Sequence, residues 1–321
     1  MASAAESEPV DEDASPVDAD SDDDADASET ARGTDEPRTT ADVDDRRYTR
    51  KKCVLITGCS SGIGRATAKA FLEEEWLVVA TARNPDDVAD LAEAGCETMA
   101  LDVTKPDQVA TAVEETVELG GAIDCLVNNA GFAQFGPIED VSTSDLHRQF
   151  DVNVYGPHRL TRAVLPHMRA QGDGRIVNVS SVYGRLSTPG VGAYAGSKFA
   201  LEAMSDALRG EAEEFGIDVT LVEPGTVETN FHDRSTDELP RKRTPAYEAL
   251  YELIDDVILV SASGPLAVTP EDVARAILES ATCAEPPARY PVGPIAQFGG
   301  YARFLPDRLR DATYGLLRRL V

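Results

Sequence analysis

Tyr194 and Lys198 stand four residues apart in Tyr194-Ala195-Gly196-Ser197-Lys198, so a helix through this run puts both side chains on one face. A lysine ammonium there favours tyrosinate over tyrosine and readies the phenol for proton transfer. A free phenol titrates at about 10, and bringing it near neutrality takes roughly 4 kcal/mol of differential stabilisation. Ser180 and Ser181, adjacent at the end of a β-branched run upstream of this pair, each carry a hydroxyl able to hold a substrate oxygen. A second cluster lies near residue 60. Thr57-Gly58-Cys59-Ser60-Ser61-Gly62-Ile63-Gly64 follows an apolar run and opens a helical pattern. Glycines there let a pyrophosphate approach bare backbone and meet the positive end of the helix dipole. The spacing is G-xxx-G-x-G rather than G-x-G-x-x-G.

The end of the second strand decides which dinucleotide such a site would take, because an acidic residue there bonds ribose hydroxyls and repels a 2′-phosphate. That position is Ala82, and the next residue is Arg83, whose guanidinium can pair bidentately with phosphate. The missing acid and the present base point the same way, to NADP(H) over NAD(H). A cationic nicotinamide ring, together with the Lys198 ammonium, could supply most of the stabilisation that Tyr194 needs.

These residues must be held by a scaffold, and the pattern from residue 52 onward supplies one. Strands are expected at Cys53–Thr57, Leu77–Ala82, Glu97–Asp102, Ala122–Asn128, Gly174–Ser180, Ile217–Glu223 and Arg289–Val292. Helical patterns fall between them, over Gly62–Glu75, from Pro106, over Leu146–Ala170 and over Tyr194–Phe215. Later helices are expected over Pro245–Val257, from Thr269-Pro270-Glu271-Asp272 to about Thr282, and over Leu305–Val321; the second has an N-cap, a proline at its first position and acids in its first turn. Strand and helix in strict turn imply right-handed crossovers and a doubly wound parallel sheet, an α/β Rossmann fold.

Composition limits the remaining possibilities. The first fifty residues carry 17 acidic and 5 basic side chains with almost no aromatic or branched apolar residue, so residues 1–48 cannot bury enough apolar surface to offset their chain entropy and are expected to be disordered. The other 271 residues carry 40 acidic and 25 basic side chains; such a surface repels a polyanion and excludes a nucleic-acid partner. A high-salt cytoplasm is consistent with so much carboxylate. Cys53, Cys59, Cys96, Cys125 and Cys283 lack CxxC spacing and are read as buried free thiols. His147, His158, His167 and His232 show no metal-ligand spacing, so no metal is expected. With no signal pattern and no long apolar span, the expected location is cytoplasmic.

TGCSSGIG at 57–64, Asn128-Asn129-Ala130-Gly131, the Tyr194–Lys198 run and Pro224-Gly225, in this order and at these strand ends, resemble the compact single-domain branch of the short-chain dehydrogenase/reductase family over about residues 52–230. The resemblance implies a carbonyl–alcohol oxidoreductase in which Tyr194 is the general acid and base. It implies that Ser181, thirteen residues before Tyr194, holds the substrate oxygen in preference to Ser180. It further implies that Lys198 bonds the nicotinamide ribose and that Asn153 anchors a water serving Lys198. Cofactor contacts are implied for Gly58, Ser60, Ser61, Gly62, Ile63, Gly64, Arg83, Asp102, Val103, Asn128, Ala130, Gly131, Tyr194, Lys198, Pro224, Gly225, Val227 and Thr229.

A catalytic domain over 52–290 is then expected, with a substrate lid over about 226–266 and an extension at 291–321 ending in an amphipathic helix. Phe231, Tyr247, Leu250, Tyr251 and Leu253 suit an apolar carbonyl or alcohol; Arg241, Lys242 and Arg243 accompany them, and His232 lies where substrate could reach it. Arg303, Arg308, Arg310, Arg318 and Arg319 among leucines would dock on the protein's own body, then on a second subunit, and last on an anionic membrane surface. A homodimer or homotetramer through the helices around 146–170 and 194–215 is what the family implies. The rival reading is a nucleotide-sensing or scaffold protein without catalysis; it is disfavoured because Ser181, Tyr194 and Lys198 are all present.

Overall fold

A computed structural model describes residues 50–228, 239–240, 243–261, 264, 266–309 and 311–312. The acidic segment 1–48, Thr229, Phe231, His232, Arg241, Lys242 and most of the expected terminal helix lie outside the described residues.

Seven strands form one parallel sheet: β1 (Cys53–Ile56), β2 (Leu77–Ala82), β3 (Glu97–Ala100), β4 (Cys125–Asn128), β5 (Gly174–Val179), β6 (Ile217–Pro224) and β7 (Arg289–Val292), in spatial order β3-β2-β1-β4-β5-β6-β7. Helices α1 (Gly62–Glu73), α2 (Ala89–Ala94), α3 (Pro106–Gly120), α4 (Thr143–Phe150), α5 (Gly156–Gln171), α6 (Gly192–Ala212), α7 (Glu248–Ser261), α8 (Pro270–Thr282) and α9 (Pro294–Gly299) connect and cover it. Period-two alternation along β1 serves both faces. Val54 and Ile56 pack in a layer with Phe71 of α1 and Val273 and Ile277 of α8, whereas Cys53 and Leu55 pack with Val109 of α3 and Leu160 and Val164 of α5. Each such side chain contributes about 1.5–3 kcal/mol by leaving water. Chain order reverses at β1, whose two neighbours are β2 and β4, and a ligand crevice belongs at such a switch point.

The expected architecture stands, with local differences. The helical region 146–170 begins earlier, at Thr143, where the Ser142 hydroxyl accepts from Asp145 N–H at 3.1 Å. It is interrupted by a π-helical segment at Asp151–Tyr155. The six-residue α2 leaves no signal in the sequence, since it is too short to display a helical period. Helix α6 starts at Gly192, two residues before Tyr194. After β7 the chain forms α9 and a 3-10 turn at Gly300–Phe304. Cys53, Cys59, Cys96 and Cys125 are buried free thiols, while Cys283 is half-exposed.

Candidate active site

The carboxyl ends of the central strands open into a cavity of about 1510 Å³. Gly58, Ser60, Ser61, Gly62 and Ile63 line one end, Arg83, Asp102, Val103, Ala130 and Gly131 lie along it, and Ser181, Tyr194, Lys198, Pro224, Gly225 and Val227 line the other. Three residues expected at the site are placed elsewhere. Gly64 sits beneath the turn, where an added Cβ would meet the Gly58 carbonyl oxygen at 2.3 Å and Asn129 Nδ2 at 2.5 Å. Its role is close packing of helix on turn. Asn128 turns away from the cavity into a buried chain, donating to Asn178 Oδ1 at 2.8 Å, and Asn178 donates in turn to Ser205 Oγ at 2.8 Å. Asn153, also fully buried, is described below.

The loop from β1 into α1 suits a dinucleotide phosphate. Gly58 and Gly62 take left-handed backbone angles, φ 74° and 55°, which glycine adopts without strain. Ser61, the N-cap of α1, leaves its side chain out of the cap, so the first-turn N–H groups and the hydroxyl remain free for an anion. Arg83 is exposed beside this end, and the strand-end position before it is the apolar, buried Ala82 rather than an acid.

At the other end, Ser181 begins a 3-10 turn (Val182–Gly184), its Oγ accepting from Tyr183 N–H at 3.2 Å. The Ser181 hydroxyl also hydrogen-bonds the Tyr194 phenol. Ser180 Oγ is buried and lies toward Gly184 and Glu202, which distinguishes the two serines. Phe135 and Tyr183 pack edge-on against the Tyr194 ring. Burial raises the Tyr194 phenol to about 12, with the Ser181 hydrogen bond opposing. Burial, and not Lys198, governs this phenol among the protein's own groups. Lys198 Nζ lies 5.8 Å from the Tyr194 ring centroid and donates to the Val179 carbonyl at 2.9 Å. Burial lowers this ammonium to about 8, with Glu202 opposing. Desolvation disfavours both charged forms.

A family of known sequences accounts for this constellation. The short chain dehydrogenase family model matches residues 52–240. The chain belongs to the short-chain dehydrogenase/reductase family. It is thereby an NAD(P)-linked oxidoreductase. It is 39% identical over 265 residues to the uncharacterized oxidoreductase YbbO of Escherichia coli K12, covering 81% of this chain and 93% of that protein. It is 32% identical over 270 residues to an NADPH-dependent 3-dehydrocapnine reductase of Ornithobacterium rhinotracheale, covering 81% and 95%. A short-chain dehydrogenase from Streptomyces avermitilis superposes with a TM-score of 0.71 at 34% identity, covering 84% of this chain and 98% of that one.

Several residues outside the expected set, together with the expected Asn153, hold this family's site together here. Thr57 Oγ1 accepts from the N–H groups of Asn129 and Ala130, each at 3.0 Å, and Asn129 Nδ2 donates to the Thr57 and Gly58 carbonyls at 2.8 and 3.1 Å. These bonds staple the glycine turn to the loop after β4. Asn153, in the π-helical segment, donates to the Phe132 carbonyl at 3.0 Å and to Ser197 Oγ at 3.1 Å, and accepts from Phe132 N–H at 3.2 Å. It thereby joins the loop after β4 to the turn of α6 between Tyr194 and Lys198. Gln149 supports the same loop, accepting from Gln134 N–H at 2.6 Å and donating to the Phe132 carbonyl at 2.7 Å.

Helix α7 covers the cavity mouth with Leu250, Leu253 and Ile254. Asp140 anchors this cover: it accepts from Thr244 N–H at 2.9 Å and from the Tyr251 hydroxyl at 2.7 Å, and Tyr247 donates to Glu139 at 2.8 Å. Among the described residues, no cluster of His, Cys, Asp and Glu is gathered as a metal ion would require, and no helix is long and apolar enough to cross a membrane.

Proposed function

We propose that this chain uses NADP(H) to interconvert a ketone or aldehyde with an alcohol, and that Tyr194 is its general acid and base. The observation that carries the reading is the Ser181 hydroxyl bonded to a buried Tyr194 phenol, beside Lys198, at one end of a cavity whose other end is the glycine turn and Arg83. Bound nicotinamide supplies or accepts the hydride. Tyr194, neutral over the physiological range because burial raises it, gives its proton to the carbonyl oxygen as negative charge develops there. Ser181 donates a second hydrogen bond to that oxygen. The Lys198 ammonium stabilises the tyrosinate left behind, and Asn153 holds the α6 turn that carries both residues. Oxidation of an alcohol runs the same proton path backwards.

Arg83 supports NADP(H), as does the NADPH dependence named for the O. rhinotracheale relative. Phe135, Val191, Leu250, Leu253 and Ile254 around the mouth favour an apolar substrate. Residues 52–290 are the catalytic domain in this reading, with 226–266 as its lid. Leu146, Tyr155, Phe199 and Met204, each 38–42% exposed on the helices named for subunit contact, support a homodimer or homotetramer; a cytoplasmic setting is part of the same proposal. The test is oxidation of NADPH and of NADH against a panel of apolar ketones and aldehydes, using wild type and Tyr194→Phe. NADPH should be consumed faster, and Tyr194→Phe should lose at least about 99% of kcat. Full turnover by Tyr194→Phe would end the proposal.

A further inference from the structure

Behind the site lies a buried ion cluster that proton transfer does not use. Glu202 on α6 and Glu223 on β6 are 5% and 4% exposed. Arg289 on β7 donates through Nε to Glu202 at 3.0 Å and stands 3.2 Å from Glu223, while its Nη2 reaches Asp206 at 2.6 Å. Arg185, one residue past the 3-10 turn that Ser181 opens, places Nη1 3.7 Å from Glu223 and 3.9 Å from Glu202.

We propose that Arg185, set at ion-pair distance from Glu202 and Glu223 with Arg289 as the second cation, is a positioning residue that holds the Ser181 turn in register with Tyr194 and Lys198. The inference rests on the reading of Ser181 and Tyr194 given above. Three members of the cluster lie on segments that carry part of the site. Glu202 is one helical turn beyond Lys198, Glu223 immediately precedes the Pro224-Gly225 loop, and Arg185 follows the turn bearing Ser181 and Tyr183. The turn is also pressed onto the cluster. A Cβ on Gly184 would meet Ser180 Oγ at 2.7 Å and Glu202 Cγ at 2.8 Å. Burying two carboxyls is costly, and burial, with each carboxyl opposing the other, raises Glu223 to about 7. An apolar filling of the same volume would stabilise the fold as well or better, whereas oppositely charged partners meet in one arrangement only. The Ser180 N–H bond to the Val222 carbonyl holds the strand side of this turn, and the Arg185 ion pairs hold its far side, so their loss lets the Ser181 hydroxyl drift. A displacement of about 1 Å at a reacting group lowers turnover on the order of a hundred-fold.

The test uses the full chain with Arg185→Met, Arg185→Lys and Gly184→Ala, comparing kcat, KM, NADPH affinity and urea unfolding with wild type. Arg185→Met should bind NADPH within about two-fold of wild type yet lose about ten- to a hundred-fold in kcat. Arg185→Lys should recover part of that loss. Gly184→Ala, which changes no charge but pushes the same turn, should lower kcat in the same way. If Arg185→Met does not fold, Arg185→Met/Glu223→Gln leaves no carboxylate without its cation and carries the same expectation. A folded Arg185→Met, or a folded double variant in its place, with wild-type kcat overturns the inference. So does a kcat loss that follows only the folded fraction. An active Tyr194→Phe overturns the underlying reading instead, so the two failures are told apart.

Discussion

Lys198 is a charge held where its surroundings oppose it, and replacing it by methionine should make the protein more stable while removing activity. The side chain is 6% exposed, and burial lowers its ammonium from an ordinary 10.5 to about 8. At neutral pH the native state carries that proton against this preference, and the unfolded chain carries it freely. A gap of this size corresponds to roughly 3 kcal/mol. Methionine keeps the apolar stem but gives up the bond to the Val179 carbonyl, which costs about 1 kcal/mol. Lys198→Met should therefore gain roughly 2 kcal/mol near pH 7. The sign with pH follows from linkage. The folded value lies below the unfolded one, so the native state binds fewer protons between about pH 8 and 10.5, and wild-type stability rises through that window relative to the variant. Above it the lysine is neutral in both states and the advantage of methionine disappears. Urea unfolding of both proteins near pH 7 and near pH 10.5 reads this directly, because other titrating groups cancel in the difference. A stability gap that stays constant across the window, or a variant less stable near pH 7, refutes the reasoning.

Other perturbations test separate parts of the site. Gly64→Ala drives a methyl group to 2.3 Å from the Gly58 carbonyl oxygen; it should cost about 1–3 kcal/mol in urea unfolding and weaken NADPH binding by titration. Arg83→Asp removes the cation and adds an acid, and should lower NADPH affinity relative to NADH by about thirty-fold or more, the worth of a charge-assisted bond of roughly 2 kcal/mol, measured by thermal shift with each cofactor. Asp140→Asn weakens the anchoring of Thr244 and Tyr251, so KM for an apolar ketone should rise several-fold, about the effect of 1 kcal/mol, with kcat changed less. Glu223→Gln tests the buried carboxyl pair: a folded value raised to about 7 means that wild type loses stability relative to the glutamine variant as pH rises from about 4.5 to 7, and unfolding at both limits should show the gap change in that direction.

Much of this protein can be read along the chain because its cues are local. Alternating β-branched runs and helical periods report burial on both sheet faces within a few residues. The glycine turn and the Tyr194–Lys198 spacing report which backbone and side chains share one place, since turn geometry and helical pitch act over the same short range. Local pattern also separates Ala82-Arg83 from an acidic strand end. Tertiary structure alone decided that Asn128 serves a buried hydrogen-bond chain, that Thr57 and Asn129 staple two loops, and that Asp140 anchors a helix more than one hundred residues further on. It also decided the charge states. Four residues of spacing set Lys198 on the face of Tyr194, but the depth of burial raises the phenol and lowers the ammonium. Desolvation depends on every segment that closes over a group, and those segments are brought together by the fold from positions that no local pattern connects.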